Sequence, residues 1–135
     1  MELNGFVNKK LISIYGLFFF EKKPITSKYD LSDIIEITFI FEDNILSIKC
    51  DDVGIGLKID NRYQLENVDM LEFGLFHRMD VSNLSIFYNL VNTHLNRIEK
   101  IISDGYKIGI TLFFSSGNVS VSYTHLRAHE TDSYL

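Results

Sequence analysis

Two stretches of this chain, Ile35–Phe41 and Ile108–Phe114, are nearly unbroken runs of β-branched and aromatic residues. Runs of that length and composition predict strands covered on both faces or lying in a sandwich core. Leu46, Ile48 and Cys50 alternate with Ser47 and Lys49, which predicts a strand with one apolar face. Leu11–Phe20 is a further apolar run and reads as a buried strand. Polar clusters separate these blocks. Glu42-Asp-Asn44 and Ser115-Ser-Gly-Asn118 read as turns. Asp104-Gly105 predicts a tight hairpin between Leu95–Ile102 and Tyr106–Phe114, because both residues tolerate the positive φ of a type I′ turn.

One segment carries two patterns. Leu84, Phe87, Tyr88, Val91, Leu95, Ile98 and Ile102 fall at helical spacing behind Ser82-Asn83, which could cap a helix. On that period alone, Leu84–Ile102 is one amphipathic helix. A self-similarity in the chain argues otherwise. Val7-Asn8-x-x-Leu11-x-x-Ile14 recurs as Val91-Asn92-x-x-Leu95-x-x-Ile98, so Leu95–Ile102 should match the strand that begins at Leu11. The expectation is a short helical turn near Leu84–Val91, then a strand.

The two apolar runs extend the self-similarity. Ile35-Glu-Ile-Thr-Phe-Ile-Phe41 recurs as Ile108-Gly-Ile-Thr-Leu-Phe-Phe114. The offset is 84 for the first match and 73 for the second, so the first copy holds eleven extra residues between its blocks. They fall in the polar stretch Lys22–Asp33, which holds the only proline and reads as a longer loop. Each copy then reads as strand, loop, strand, turn, strand.

Composition narrows the class. At 46% hydrophobic and 23% charged residues the chain is that of a folded domain, not a disordered one. A net charge of −5 gives no footprint for nucleic acid, where phosphate neutralisation dominates. A single cysteine, Cys50, excludes an internal disulfide and fits a reducing compartment. Lys9-Lys10 before Leu11–Phe20 has the outline of a signal sequence. The run ends in Glu21-Lys22-Lys23-Pro24 without a small-residue cleavage site and is too short to span a bilayer, so no membrane role is expected. The heavy use of Ile, Lys, Asn and Phe suggests an AT-rich bacterial genome, met as metagenomic sequence.

The segment from Val121 to Thr131 resembles the translation of a transposase end and adapter used in tagmentation sequencing libraries. The resemblance implies that residues 121–135 are a non-native tail and that the native chain is truncated near Ser120. It also implies that the helically spaced pair His125 and His129 is no metal site. Removing Arg127, Glu130 and Asp132 with the tail leaves a charge of −4.

Candidate chemistry is sparse. Gly54-Ile-Gly56 lacks the Lys-Ser/Thr pair of a phosphate loop and reads as a bulge or close backbone approach. Glu42, Asp43, Asp51 and Asp52 would supply oxygens for a hard cation if they met at one sheet end, but they lack a calcium-loop spacing and read as turn residues. Cys50 reads as a small buried hydrophobe. His77 and Asp80 could form a base and its orienter, and His94 stands alone. No nucleophile motif lies beside them.

These readings predict a single mostly-β domain over residues 1–120. It would be an antiparallel sandwich or half-open barrel from two meander-like repeats, with one or two short helices. In size, charge and missing catalytic motifs it resembles the small acidic immunity-type proteins found beside bacterial toxins. That resemblance implies a non-enzymatic interaction module in a bacterial cytoplasm, with neither cofactor nor metal. The acidic, partly apolar loop carrying Asp60, Tyr63, Glu66, Asp69 and Glu72 would dock a basic protein partner. The alternative is a small-ligand binder or enzyme with its site around His77, Asp80 and the acidic turns. A deep pocket gathering those groups would favour the alternative. A flat acidic patch with exposed aromatics would favour the interaction module.

Overall fold

The computed structural model describes residues 2–20, 31–51, 55–62, 68–69 and 75–126. They form an all-β fold of two antiparallel sheets that do not close into a barrel. The strands are β1 (Leu11–Phe20), β2 (Ile34–Phe41), β3 (Ile45–Cys50), β4 (Leu57–Asp60), β5 (Val68–Asp69) and β6 (Leu75–Asp80). A one-turn helix, α1 (Ser85–Tyr88), leads to β7 (Leu95–Ser103), β8 (Tyr106–Phe114) and β9 (Gly117–Ser122). The first sheet has the order β4-β3-β2-β1-β6-β5 and the second β7-β8-β9.

Pleat alternation sorts the side chains. Ile37, Phe39 and Phe41 of β2, Leu46 and Ile48 of β3, and Ile110, Leu112 and Phe114 of β8 join one buried core. The Phe41 and Phe114 rings lie parallel, with centroids 6.3 Å apart, and link the two sheets. A smaller cluster, Leu17, Phe19, Ile35 and Phe76, lies apart from that core. Each fully buried Leu or Phe side chain stabilises the fold by about 2–3 kcal/mol.

Both apolar runs are strands, and each is the second strand of its meander. The segment after Ser82 also follows the self-similarity, as a single helical turn and then β7. Asp104 and Gly105 make the two-residue turn, with φ of 50° and 82°, and Ser103 pairs with Tyr106. Ser82-Asn83 does not cap α1, whose N-cap is Leu84. Ser82 Oγ instead accepts from the Ile14 N–H at 2.8 Å, because β6 returns along β1 and places Ser82 beside that edge. The long loop expected over Lys22–Asp33 lies largely outside the described residues; its end, Leu31–Asp33, is a 3-10 turn.

The self-similarity extends to individual hydrogen bonds. Asn8 and Asn92 both adopt left-handed backbone, at φ 71° and 68°. The Asn8 N–H donates to the Leu95 carbonyl and the Asn92 N–H to the Leu11 carbonyl, each at 2.7 Å. The Leu11 N–H donates to Thr93 and the Leu95 N–H to Lys9, each at 2.9 Å. The two blocks therefore clasp each other reciprocally at the starts of β1 and β7. A bulge follows at matching places, between Leu11 and Ser13 and between Leu95 and Arg97. Thr38 and Ser47 share a hydroxyl bond of 3.1 Å, as their counterparts Thr111 and Ser120 do at 2.8 Å.

Past Ser120 the chain stays with the fold. Val121 completes the apolar face of β9, Tyr123–His125 form a 3-10 turn, and Leu126 is buried in the main core. A non-native tail would make few or only incidental contacts from Tyr123 onward, whereas Leu126 is packed into the main core. The open end of the core beside Cys50 accepts an apolar side chain there. Cys50 Sγ lies 3.5 Å from the Tyr123 carbonyl and 3.6 Å from that of Leu126.

Candidate functional site

Gly56 sits where the first sheet meets the second. A Cβ at that position would stand 3.0 Å from Asp51 Oδ2, 3.1 Å from the Lys107 carbonyl and 3.5 Å from Tyr106 Cβ. The expected close backbone approach is thus real at Gly56, and β4 lies against β8 there. The junction brings Ile55, 43% exposed, and Tyr106, 42% exposed, next to the Asp51 carboxylate. Asp51 Oδ1 also accepts from the Ile55 N–H at 3.3 Å, fixing the turn that carries the isoleucine. Large side chains are exposed here in a group, and grouping is what marks an interaction surface.

The sequence-predicted residues are spread more widely. Asp60 ends β4 and accepts from the Asn61 N–H at 2.8 Å, the local capping of a turn aspartate. Asp69 lies in β5, its backbone paired with Leu75. Tyr63, Glu66 and Glu72 lie outside the described residues.

His77 and Asp80 are three apart on β6, so their side chains leave opposite faces and cannot act as base and orienter. Asp80 accepts from the Ser82 N–H at 2.8 Å. His94 is exposed and bridges to Lys10 through the backbone.

Of the four turn carboxylates, Asp52 lies outside the described residues and the other three do not converge. Glu42 and Asp43 flank the start of β3 and Asp51 follows its end, which six residues of strand place on the order of 20 Å apart. Asp43 forms a 2.8 Å ion pair with Lys9, whose ammonium it holds above the ordinary 10.5 by hydrogen bond and charge. Among the described residues no three His, Cys, Asp or Glu side chains are grouped to hold a metal ion. Burial, aided by the Asp51 charge, pushes the Cys50 thiol above its ordinary 9.0 and disfavours the thiolate.

Two features escaped the sequence reading. Glu36, fully buried, accepts from Arg78 Nη2 across the intervening β1, while Arg78 Nη1 donates to Thr38 Oγ1 at 3.2 Å. With the Thr38–Ser47 bond this makes a polar chain across β6, β2 and β3. Its one sequence signal is a glutamate inside an otherwise apolar run. The second feature is a cavity of about 800 Å³, lined mostly by apolar groups such as Ile34, Ile37, Phe87 and Val121, with Asp33 and His125 among its polar members. It does not gather His77 or Asp80.

No helix among the described residues is long and apolar enough to cross a membrane. No family model, curated protein or solved structure matches the chain at a significant level.

Proposed function

We propose that this chain is a non-enzymatic interaction module, of the immunity type that neutralises a basic bacterial toxin, working in the cytoplasm. The observation that supports the reading best is the junction at Gly56. There an exposed aromatic, an exposed isoleucine and a carboxylate stand together at the seam between two sheets. A protein partner would bury Tyr106 and Ile55, the kind of aromatic and aliphatic anchors that dominate interface energies. The chain's negative charge would raise the association rate of a cationic partner and make binding salt-dependent. Asp60, Glu66, Asp69 and Glu72, with Tyr63 among them, would supply the negative charge that attracts such a partner. The matching hydrogen bonds of the two halves support an internal duplication as the origin of the fold.

The decisive experiment is calorimetric titration of the purified chain with the product of its neighbouring gene. The expected result is a one-to-one complex that weakens with salt and with Tyr106→Ala. Absence of binding, with a small molecule retained on purification, would overturn the proposal. The cavity of about 800 Å³ favours that second reading, a binder of small apolar ligands, since its volume suits a drug-sized molecule.

A further inference from the structure

We propose that β7 pairs with β7 of a second copy, joining two three-stranded sheets into one six-stranded sheet about a two-fold axis at Ile101. The inference stands independently of the partner surface at Gly56, because it uses the opposite edge of the hairpin. In the first half, β1 carries a neighbour on each side, β2 and β6. Pairing with β6 runs from Tyr15 opposite Asp80 to Phe20 opposite Leu75. At the repeat offset of 84, Tyr15 corresponds to Glu99 and Phe19 to Ser103. Among the described residues no strand covers that stretch of β7, and all of Glu99–Ser103 is exposed. An edge that ends in two neighbouring isoleucines, 48% and 56% exposed, is a template for strand addition.

Self-pairing has few registers, and local geometry selects one. The outer side of Leu95 is already bonded to Asn8 and Lys9, so an axis near Ile98 would drive the second copy into that clasp. An axis at Glu99 opposes two glutamates, and an axis at Lys100 opposes two lysines. Like charges directly opposite each other disfavour both. An axis at Ile102 needs Asp104 in the ladder, and its φ of 50° belongs to the turn. An axis at Ile101 sets Ile101 against itself and Lys100 against Ile102 of the second copy. It leaves Lys100 diagonal to both Asp104 and Lys100 of the second copy, an attraction and a repulsion that offset each other. β7 has no extra residue of its own over this stretch, since the register shift after Ile101 falls on β8.

Five residues of strand edge bury a small area, so the dimer should be weak, in the micromolar range. Analytical ultracentrifugation of the full chain, of Ile101→Lys and of Ile101→Glu tests it. Each single substitution places like charges on the axis and should weaken self-association about a hundredfold, since like-charge juxtaposition is worth several kcal/mol. An equimolar mixture of the two variants should restore a dimer, with Lys facing Glu. Circular dichroism checks that both variants stay folded, as expected at an exposed position. A monomeric unsubstituted chain at millimolar concentration overturns the proposal. So does a dimer indifferent to both substitutions, or a mixture that stays monomeric.

Discussion

Replacing Asn8 and Asn92 one at a time tests whether the reciprocal clasp holds the two halves together. Both residues sit in left-handed backbone, at φ 71° and 68°, where a Cβ crowds the following carbonyl. That conformation costs about 1–2 kcal/mol for an ordinary L-residue, and less for asparagine, whose short side chain tolerates it. Asn8→Ala and Asn92→Ala should therefore each lose about 1 kcal/mol, while Asn8→Gly and Asn92→Gly stay near neutral. Valine at either site should lose about 2 kcal/mol or more, because branching narrows the region further. If a variant escapes the strain by leaving this conformation, it loses the 2.7 Å bond from its N–H, a net of about 1 kcal/mol more. The Asn8 and Asn92 effects should be non-additive, since both act on one pair of crossing segments. Urea denaturation with a common slope would measure these differences. Alanine variants as stable as the unsubstituted chain, or glycine variants worse than alanine, would refute the reasoning.

Cys50 should react slowly with thiol reagents in the native state. Its raised pKa contributes stability that is complete below pH 9 and is lost as pH rises through the higher folded value, so denaturation at pH 8 and pH 10 should show a steeper loss than in Cys50→Ala. Leu126→Ala should lower stability by about 2–4 kcal/mol, as a buried leucine truncation does, and an unchanged melting temperature would place Leu126 outside the core. Gly56→Ala should lose about 1 kcal/mol and weaken any complex formed at the sheet junction, because the added methyl meets the Lys107 carbonyl at 3.1 Å. A variant with unaltered stability and binding would show that the seam there yields freely.

The strands were legible because their signals are local. Ile35–Phe41 and Ile108–Phe114 declare themselves by β-branched content, and Asp104-Gly105 by turn chemistry. The Val-Asn motif overrode the helical spacing of Leu84–Ile102 because a left-handed asparagine must end the helical turn before Leu95. What was not legible depends on distant pairing. Nothing near Leu75–Asp80 says that β6 returns to the edge of β1, so the partnership of Arg78 with Glu36 had no local sign. Two candidate groupings could have been tested on strand geometry alone. Six residues of β3 keep Glu42 and Asp43 away from Asp51, and an odd spacing of three sends His77 and Asp80 to opposite faces. The adapter resemblance of the tail is a matter of codons. Burial of Leu126 in the core weighs against a tail foreign to the fold, and Tyr134, the other residue that would decide it, lies outside the described residues.

The mutual clasp between residues 8–11 and 92–95 also bears on how the chain reaches its fold. Neither set of bonds can form until both ends of a loop of about 84 residues are present, and closing such a loop costs roughly 4 kcal/mol of chain entropy beyond a constant. On the ribosome, β1 is made early, but the backbone groups at its start wait for Thr93 and Leu95 to emerge. The first half can collapse as a hairpin of β2 and β3 in the meantime, with one margin unfinished. Completion is then a late, all-or-none event that locks both halves at once. Such a high contact order predicts slow, cooperative folding, on the millisecond-to-second scale of β-rich domains.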